Sequence, residues 1–79
     1  MDRVQVDDSG RTIDLASASV DELRQAWGYH CEKGDRLRFW AAERPLEDQE
    51  RAAATQEERQ HRRVAVRVYE VIKSRGESI

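Results

Sequence analysis

The scarcity of large apolar side chains is the feature that most constrains how this 79-residue chain can fold. Apolar residues make up 38% of the sequence, but nine of them are alanines. The larger ones are seven Val, four Leu, three Ile, two Trp, two Tyr and one Phe. A core of this kind rarely supplies more than about 3–5 kcal/mol without a disulfide, a metal or oligomerisation. We therefore expect one domain spanning residues 1–79, with self-association or a partner adding to its stability.

The cysteine content and the start of the chain predict a cytoplasmic protein. Cys31 is the only cysteine, so an intrachain disulfide is excluded and a reducing compartment is favoured. Residues 1–8 lack the apolar segment of a signal peptide. No stretch approaches the ~20 apolar residues of a membrane span. We expect a soluble protein without membrane contact.

Residues 3–15 have the pattern of a β-hairpin. Val4 and Val6 alternate with polar residues, as do Ile13 and Leu15, and this period of two is typical of a half-buried strand. Between the pairs lies Asp-Asp-Ser-Gly, a cluster of turn formers in which the glycine tolerates positive φ. Two strands alone are marginally stable in water, so one face is expected to pack on a helix.

A helix is predicted to begin after Ser19, because Ser-Val-Asp-Glu matches a capping box. Residues spaced by three or four then place an apolar stripe on one face, namely Val20, Leu23, Trp27 and Cys31. Two interpretations of Gly34 remain open. The helix either ends there and a new one starts at Asp35, or it continues to Glu43.

The chain from Pro45 onwards is predicted to be helical, with Pro45 in the first turn and a second capping-box pattern at Thr55 that allows a break. Residues 63–72 are ambiguous, because their valines also alternate as in a strand. Helix is favoured, since no Gly, Pro, Asn, Asp or Ser separates Thr55 from Ile72. Only Val66 falls on the wrong face of that helix.

No set of residues in the sequence indicates catalysis or a bound metal. Cys31 follows His30 directly, and neighbouring helix positions point in different directions. One Cys and two His fall short of a structural zinc set. Glu58 and His61 form a single Glu-x-x-His, whereas di-iron bundles use two. Phosphate-binding glycine motifs are absent. We expect no enzyme activity and no cofactor.

Two groups of residues are candidates for binding. Arginines on one face of the last helix could grip a phosphate backbone or an acidic protein surface, and they are Arg59, Arg62, Arg63 and Arg67. Phe39 and Trp40 are adjacent, so they cannot both face the same core, and one of them is expected at an interface. For each group, a role in the ordinary solvated or partly buried surface is about equally plausible.

The charge distribution suggests two ways in which the last helix could pair. Residues 43–58 hold six acids against two bases, and residues 59–75 hold six bases against one acid. Two such helices packed antiparallel would form a homodimer, with apolar burial by Val64, Val68, Val71 and Ile72. Alternatively, the same bases pair within one chain with residues 1–35, which hold eight acids against four bases.

The sequence predicts an α+β fold, in which an N-terminal β-hairpin packs on a mostly helical hairpin with a long C-terminal helix. The predicted function is stoichiometric binding to a larger protein partner, as a regulator, inhibitor or assembly component. Nucleic-acid binding through the arginines is the alternative. A net charge of −2 and the lack of a known nucleic-acid-binding motif count against it.

Overall fold

The computed structural model describes residues 2–78 of the chain. It contains a two-stranded antiparallel sheet followed by two helices, as the α+β prediction requires. The elements are β1 (Arg3–Gln5), β2 (Thr12–Asp14), α1 (Val20–Glu43) and α2 (Asp48–Ser74).

The β-hairpin forms because its alternating residues give the sheet one apolar face. Val4 pairs with Ile13 in the register of β1 and β2. In the turn, the Asp7 carboxylate accepts hydrogen bonds from the backbone and the hydroxyl of Ser9. Gly10 has a φ of +87°, a conformation that costs glycine no steric strain. The side chains on the inner face are buried, namely Val4, Val6, Ile13 and Leu15.

Helix α1 begins with the predicted capping box and runs unbroken through Gly34. The Ser19 hydroxyl accepts a hydrogen bond from the Glu22 backbone at 3.1 Å, and the Glu22 carboxylate accepts one from the Ser19 backbone at 3.0 Å. The helix continues to Glu43, so of the two interpretations of Gly34 the uninterrupted helix is the one observed.

The buried line of α1 differs from the predicted apolar stripe. Leu23 is buried as expected, but Trp27 and Cys31 are only partly buried. The residues that complete the buried line are Ala26, His30 and Gly34. The helix is therefore rotated by about one residue, because His30 finds hydrogen-bond partners inside and Gly34 leaves space for the side chain of Arg62.

Helix α2 begins three residues later than Pro45, at Asp48, and has no break at Thr55. Residues 63–72 are helical, as favoured from the sequence. Val66 is 54% exposed, in agreement with its predicted position on the outer face. Gly76 follows the helix with a φ of +78°, and its N–H donates to the Lys73 carbonyl as expected for a glycine terminator.

The main core lies between the β-hairpin and the adjoining halves of the two helices. It contains the inner face of the hairpin together with Ala18, Leu23, Ala26, Val68 and Ile72. Arg75 closes this end of the molecule, because its guanidinium donates to the carbonyls of Leu15, Ala16 and Ala18. We call this half of the helix pair the base, and the half around the α1–α2 connection the tip.

Candidate functional site

A groove at the tip is the candidate site that the structure adds to the sequence. The β-hairpin ends at its turn, where Asp8 accepts a hydrogen bond from the Tyr29 hydroxyl at 3.0 Å and pairs with Lys33 at 2.7 Å. Lys33 is also the first residue of an open groove of about 560 Å³ between α1 and α2. The groove therefore begins where the cover of the hairpin stops.

The groove has an apolar floor and two rims of opposite charge. The α1 rim carries two bases, of which Lys33 pairs with Asp8 and Arg36 with Glu32 at 2.5 Å, and the α2 rim carries two acids. Trp40 is 38% exposed in the groove, and its ring lies 5.4 Å from the Arg44 guanidinium. The floor consists of Leu37, Trp40, Ala53 and Ala54, and the rims of Lys33 and Arg36 on α1 and of Glu50 and Glu57 on α2.

Phe39 and Trp40 point to different surfaces, as expected for helical neighbours. Phe39 is 66% exposed and lies outside the groove. About 100° of helical rotation per residue separates the two rings. Trp40 thus shares an apolar surface with the other floor residues of the groove, whereas Phe39 lies outside this surface.

Two of the four arginines predicted for binding form ion pairs with carboxylates of the same chain. Arg62 lies at the helix interface and pairs with Asp35 at 2.6 Å, which raises the pKa of the guanidinium. Arg67 pairs with Asp2 at 2.5 Å, and this hydrogen bond lowers the pKa of the carboxyl. The alternative to the homodimer is that these arginines pair with acids of residues 1–35 in the same chain. Arg62 and Arg67 do so.

Arg59 and Arg63 remain exposed on the outer face of α2, and within residues 2–78 no carboxylate lies within 4 Å of either. Val66 and Glu70 share this surface with them. The homodimer drawn from the sequence needs Val68 and Ile72 at its contact, and both are fully buried inside the chain. Val68 and Ile72 are therefore not available for that contact, because they already form the core, and the homodimer itself stays a prediction.

A pair of histidines, one buried (His30) and one partly buried (His61), joins three elements at the upper end of the core. His30 on α1 and His61 on α2 face each other, with their Nδ1 atoms 2.8 Å apart. His30 Nε2 lies 2.7 Å from the carbonyl of Gln5 on β1 and donates to it. Burial lowers the pKa of His30, the hydrogen bond to Gln5 opposes this, and His61 lowers it further.

The geometry around Cys31 does not support a nucleophile. His30 directs both ring nitrogens to Gln5 and His61 rather than to the thiol. Burial raises the pKa of Cys31, so the reactive thiolate is disfavoured, although Arg62 opposes this shift. Among residues 2–78, no three His, Cys, Asp or Glu side chains are grouped as a metal site would require.

The sequence interpretation named Trp40 but missed the groove around it. On both helices the rim residues lie within four positions of a floor residue, so each of them looks like ordinary surface charge in the sequence. The spacing Lys33, Leu37 and Trp40 was the available signal, since steps of three and four share one helix face. This spacing indicates a groove only when Ala53 and Ala54 of α2 are known to complete the floor.

Comparisons with protein-family models, with curated proteins and with solved structures find no match for this chain. None of the helices within residues 2–78 combines the length and the apolar character that crossing a membrane requires. The candidate function is therefore argued from the chemistry of the groove and of the outer face of α2.

Proposed function

We propose that this chain is a non-enzymatic protein-binding module that acts stoichiometrically on a larger partner as a regulator, inhibitor or assembly component. One observation carries the proposal: a partly exposed tryptophan in an apolar groove with charged rims. Trp40 lies in that groove at the tip. Tryptophan is among the residues most enriched at the energetic centre of protein interfaces.

The arrangement of the groove matches the known anatomy of protein interfaces. Their centres are apolar and aromatic, whereas charged side chains are confined to the rim. The groove follows this order, with Trp40 and Leu37 inside and Arg36 and Glu57 outside. The properties of Cys31 and the histidine pair support a binding role over a catalytic one, because the thiol has a raised pKa and no adjacent base.

The test compares Trp40→Ala with Phe39→Ala, two neighbouring aromatics on different surfaces. Purified chain is immobilised and exposed to native cell extract that has been treated with nuclease. We expect Trp40→Ala to abolish recovery of a partner that both the wild-type chain and Phe39→Ala recover in a fixed ratio. Equal recovery by all three chains would place the binding surface elsewhere and overturn the assignment to the groove.

Nucleic-acid binding is retained as the second candidate because Arg59 and Arg63 have no carboxylate within 4 Å in the described chain. Its weakness is that Arg62 and Arg67 are already neutralised by acids of the same chain. An arginine pair alone releases few counterions, and the log–log salt slope would be about −0.9 per neutralised phosphate. Arg59→Glu with Arg63→Glu tests this candidate, and Arg3→Glu with Arg38→Glu, two exposed arginines that line neither surface of this pair, is the charge-matched control.

A further inference from the structure

The groove at the tip lies on the same face of the helix pair that the β-hairpin covers at the base. Helix positions seven residues apart share a face. On α1, Ala26 packs against the hairpin core, and seven-residue steps lead from it to Lys33 and Trp40. On α2, Val71 and Val64 pack against that core, and the next step leads to Glu57. The helix pair thus presents one long face, of which the hairpin covers only part.

The two helices keep a fixed register, so the floor and the rims are level with each other. The His30–His61 contact at 2.8 Å and the Asp35–Arg62 ion pair at 2.6 Å join α1 to α2 at the base end of the groove. The helices are antiparallel, so residues later in α1 lie beside residues earlier in α2. Arg36 therefore lies level with Glu57, on the opposite side of the groove. A ligand lying along the groove meets a base on one side and an acid on the other.

We propose that the groove binds one amphipathic α-helix of the partner, with an apolar stripe on Trp40 and Leu37, acidic residues along one flank and basic residues along the other. The acidic flank lies beside Lys33 and Arg36, where it competes with the exposed acids Asp8 and Glu32 for these bases, and the basic flank lies beside Glu50 and Glu57. Grooves between helices recognise such ligands through apolar anchors at positions i, i+3 or i+4, and i+7. This inference rests on the proposed function and names the partner segment.

A second copy of this chain fits the groove less well than a single helix does. The β-hairpin stands on the same face, so two copies pointing the same way would bring their hairpins into collision. Two copies pointing in opposite directions would lay α1 on α1 and α2 on α2, which sets Arg36 against Arg36 and Glu57 against Glu57. Like charges across an interface cost several kcal/mol, so the charges of the rims disfavour this pairing. A single helix meets neither obstacle.

Three synthetic helical peptides test the proposal, because they share one leucine stripe and differ only in their flanks. One peptide carries glutamates on one flank and lysines on the other, the second carries glutamates on both, and the third carries lysines on both. Reversing the direction of a bound helix exchanges its flanks, so the mixed peptide satisfies both rims in one of its two directions and can bind in that direction. We expect the wild-type chain to bind the mixed peptide at least about tenfold more tightly than the others.

Variants of the rims should exchange this preference. Arg36→Glu makes the α1 rim more acidic, and we expect the chain to prefer the all-lysine peptide. Glu57→Arg should produce a preference for the all-glutamate peptide. Trp40→Ala should weaken the mixed peptide at least about tenfold, whereas Phe39→Ala should leave its affinity unchanged. The rim variants keep the test decisive if Trp40→Ala does not fold.

Three results would overturn the proposal. The first is a lack of binding by every peptide at about 100 µM, and the second is equal binding of the mixed peptide by wild type and Trp40→Ala. The third is a wild-type chain that sediments as a dimer and becomes a monomer on Trp40→Ala, since a second copy would then occupy the groove. If the peptides fail while recovery of a natural partner still requires Trp40, the helical ligand is wrong and the proposed function stands.

Discussion

His30 is a buried polar residue of α1 whose hydrogen-bond partners lie on β1 and α2. Its side chain is 4% exposed, and its ring lies 5.0 Å from that of Tyr29. A neutral ring suits this place, because Nε2–H donates to Gln5 while Nδ1 accepts from His61. A second proton on His30 would have to displace the His61 hydrogen bond. The residue therefore links the protonation of one side chain to the packing of β1, α1 and α2.

Acidification should destabilise the fold through His30. Its folded pKa lies below the ordinary value of 6.5, so the unfolded chain takes up the proton first. The free energy of unfolding should therefore fall as the pH decreases below about 6.5. His30→Gln should remove this dependence between about pH 7.5 and pH 5 while costing about 1–3 kcal/mol at neutral pH. Urea unfolding across the pH range measures both effects.

His61→Gln is the matched control for that experiment. Burial, the main cause of the lowered pKa of His30, is retained in this variant, so most of the pH dependence should persist. All three chains should lose further stability below about pH 4, where carboxylates such as Asp2 and Asp7, whose pKa values are lowered by hydrogen bonds, take up protons. A wild-type stability that stays flat between pH 7.5 and pH 5 would contradict the assignment to His30.

Arg75 should contribute to stability by holding the end of α2 against the loop before α1. Arg75→Ala removes its hydrogen bonds to three backbone carbonyls, one of them Leu15 at 3.0 Å. Because the carbonyls then bond to water, we expect a loss of only about 1–2 kcal/mol in the free energy of unfolding. Arg59→Ala, which removes an exposed arginine from the same helix, should change it by less than about 0.5 kcal/mol. Equal effects in urea unfolding would contradict this role.

At the scale of elements, the sequence predicts structure well where the signal is local. The β-hairpin follows from alternation and turn chemistry, and the start of α1 follows from the capping box of Ser19 and Glu22. The start of α2 was misplaced by three residues, because Pro45 permits a helix without requiring one. The buried line of α1 was misassigned because a histidine becomes a core residue only when distant atoms of Gln5 and His61 satisfy it.

Local sequence patterns could not predict the groove. Its floor depends on which alanines of α2 face α1, and its extent depends on how far the β-hairpin reaches along the helix pair. Both are set by the register between α1 and α2, which Asp35–Arg62 and His30–His61 define in space. The ion pairs of Arg62 and Arg67 could not be predicted for the same reason, since the acids that neutralise them lie 27 and 65 residues away in the sequence.

The two glycines inside α1 should respond differently to alanine. A Cβ at Gly28 meets no atom within 4 Å, so Gly28→Ala should stabilise the helix by about 0.5–1 kcal/mol. A Cβ at Gly34 would lie 3.2 Å from Nε of Arg62, which must shift away from its position beside Asp35. We expect Gly34→Ala to gain less than Gly28→Ala or to lose stability. Thermal unfolding of the two variants tests this order, and equal gains would contradict it.

At the scale of the whole molecule, burial is distributed unevenly along a body that measures 43 × 23 × 18 Å. The base combines the β-hairpin with fully buried side chains of both helices, such as Leu23 and Ile72. At the tip, Gly34 and Ala54 are the buried residues that α1 and α2 contribute within the described chain. Neither brings a large apolar side chain. The surface proposed for binding therefore lies on the tip, which has fewer buried apolar side chains than the base.

The uneven burial predicts that the tip unfolds locally more easily than the base. Local opening requires little free energy where few apolar contacts are broken, so amides of residues 37–57 should exchange hydrogen faster than those of residues 23–30 and 65–72. A helix bound in the groove buries Trp40 and Leu37, and it should slow exchange at the tip while leaving the base unchanged. Hydrogen exchange with and without the mixed-flank peptide measures this. Uniform exchange along both helices would show that the tip is as stable as the base without a ligand.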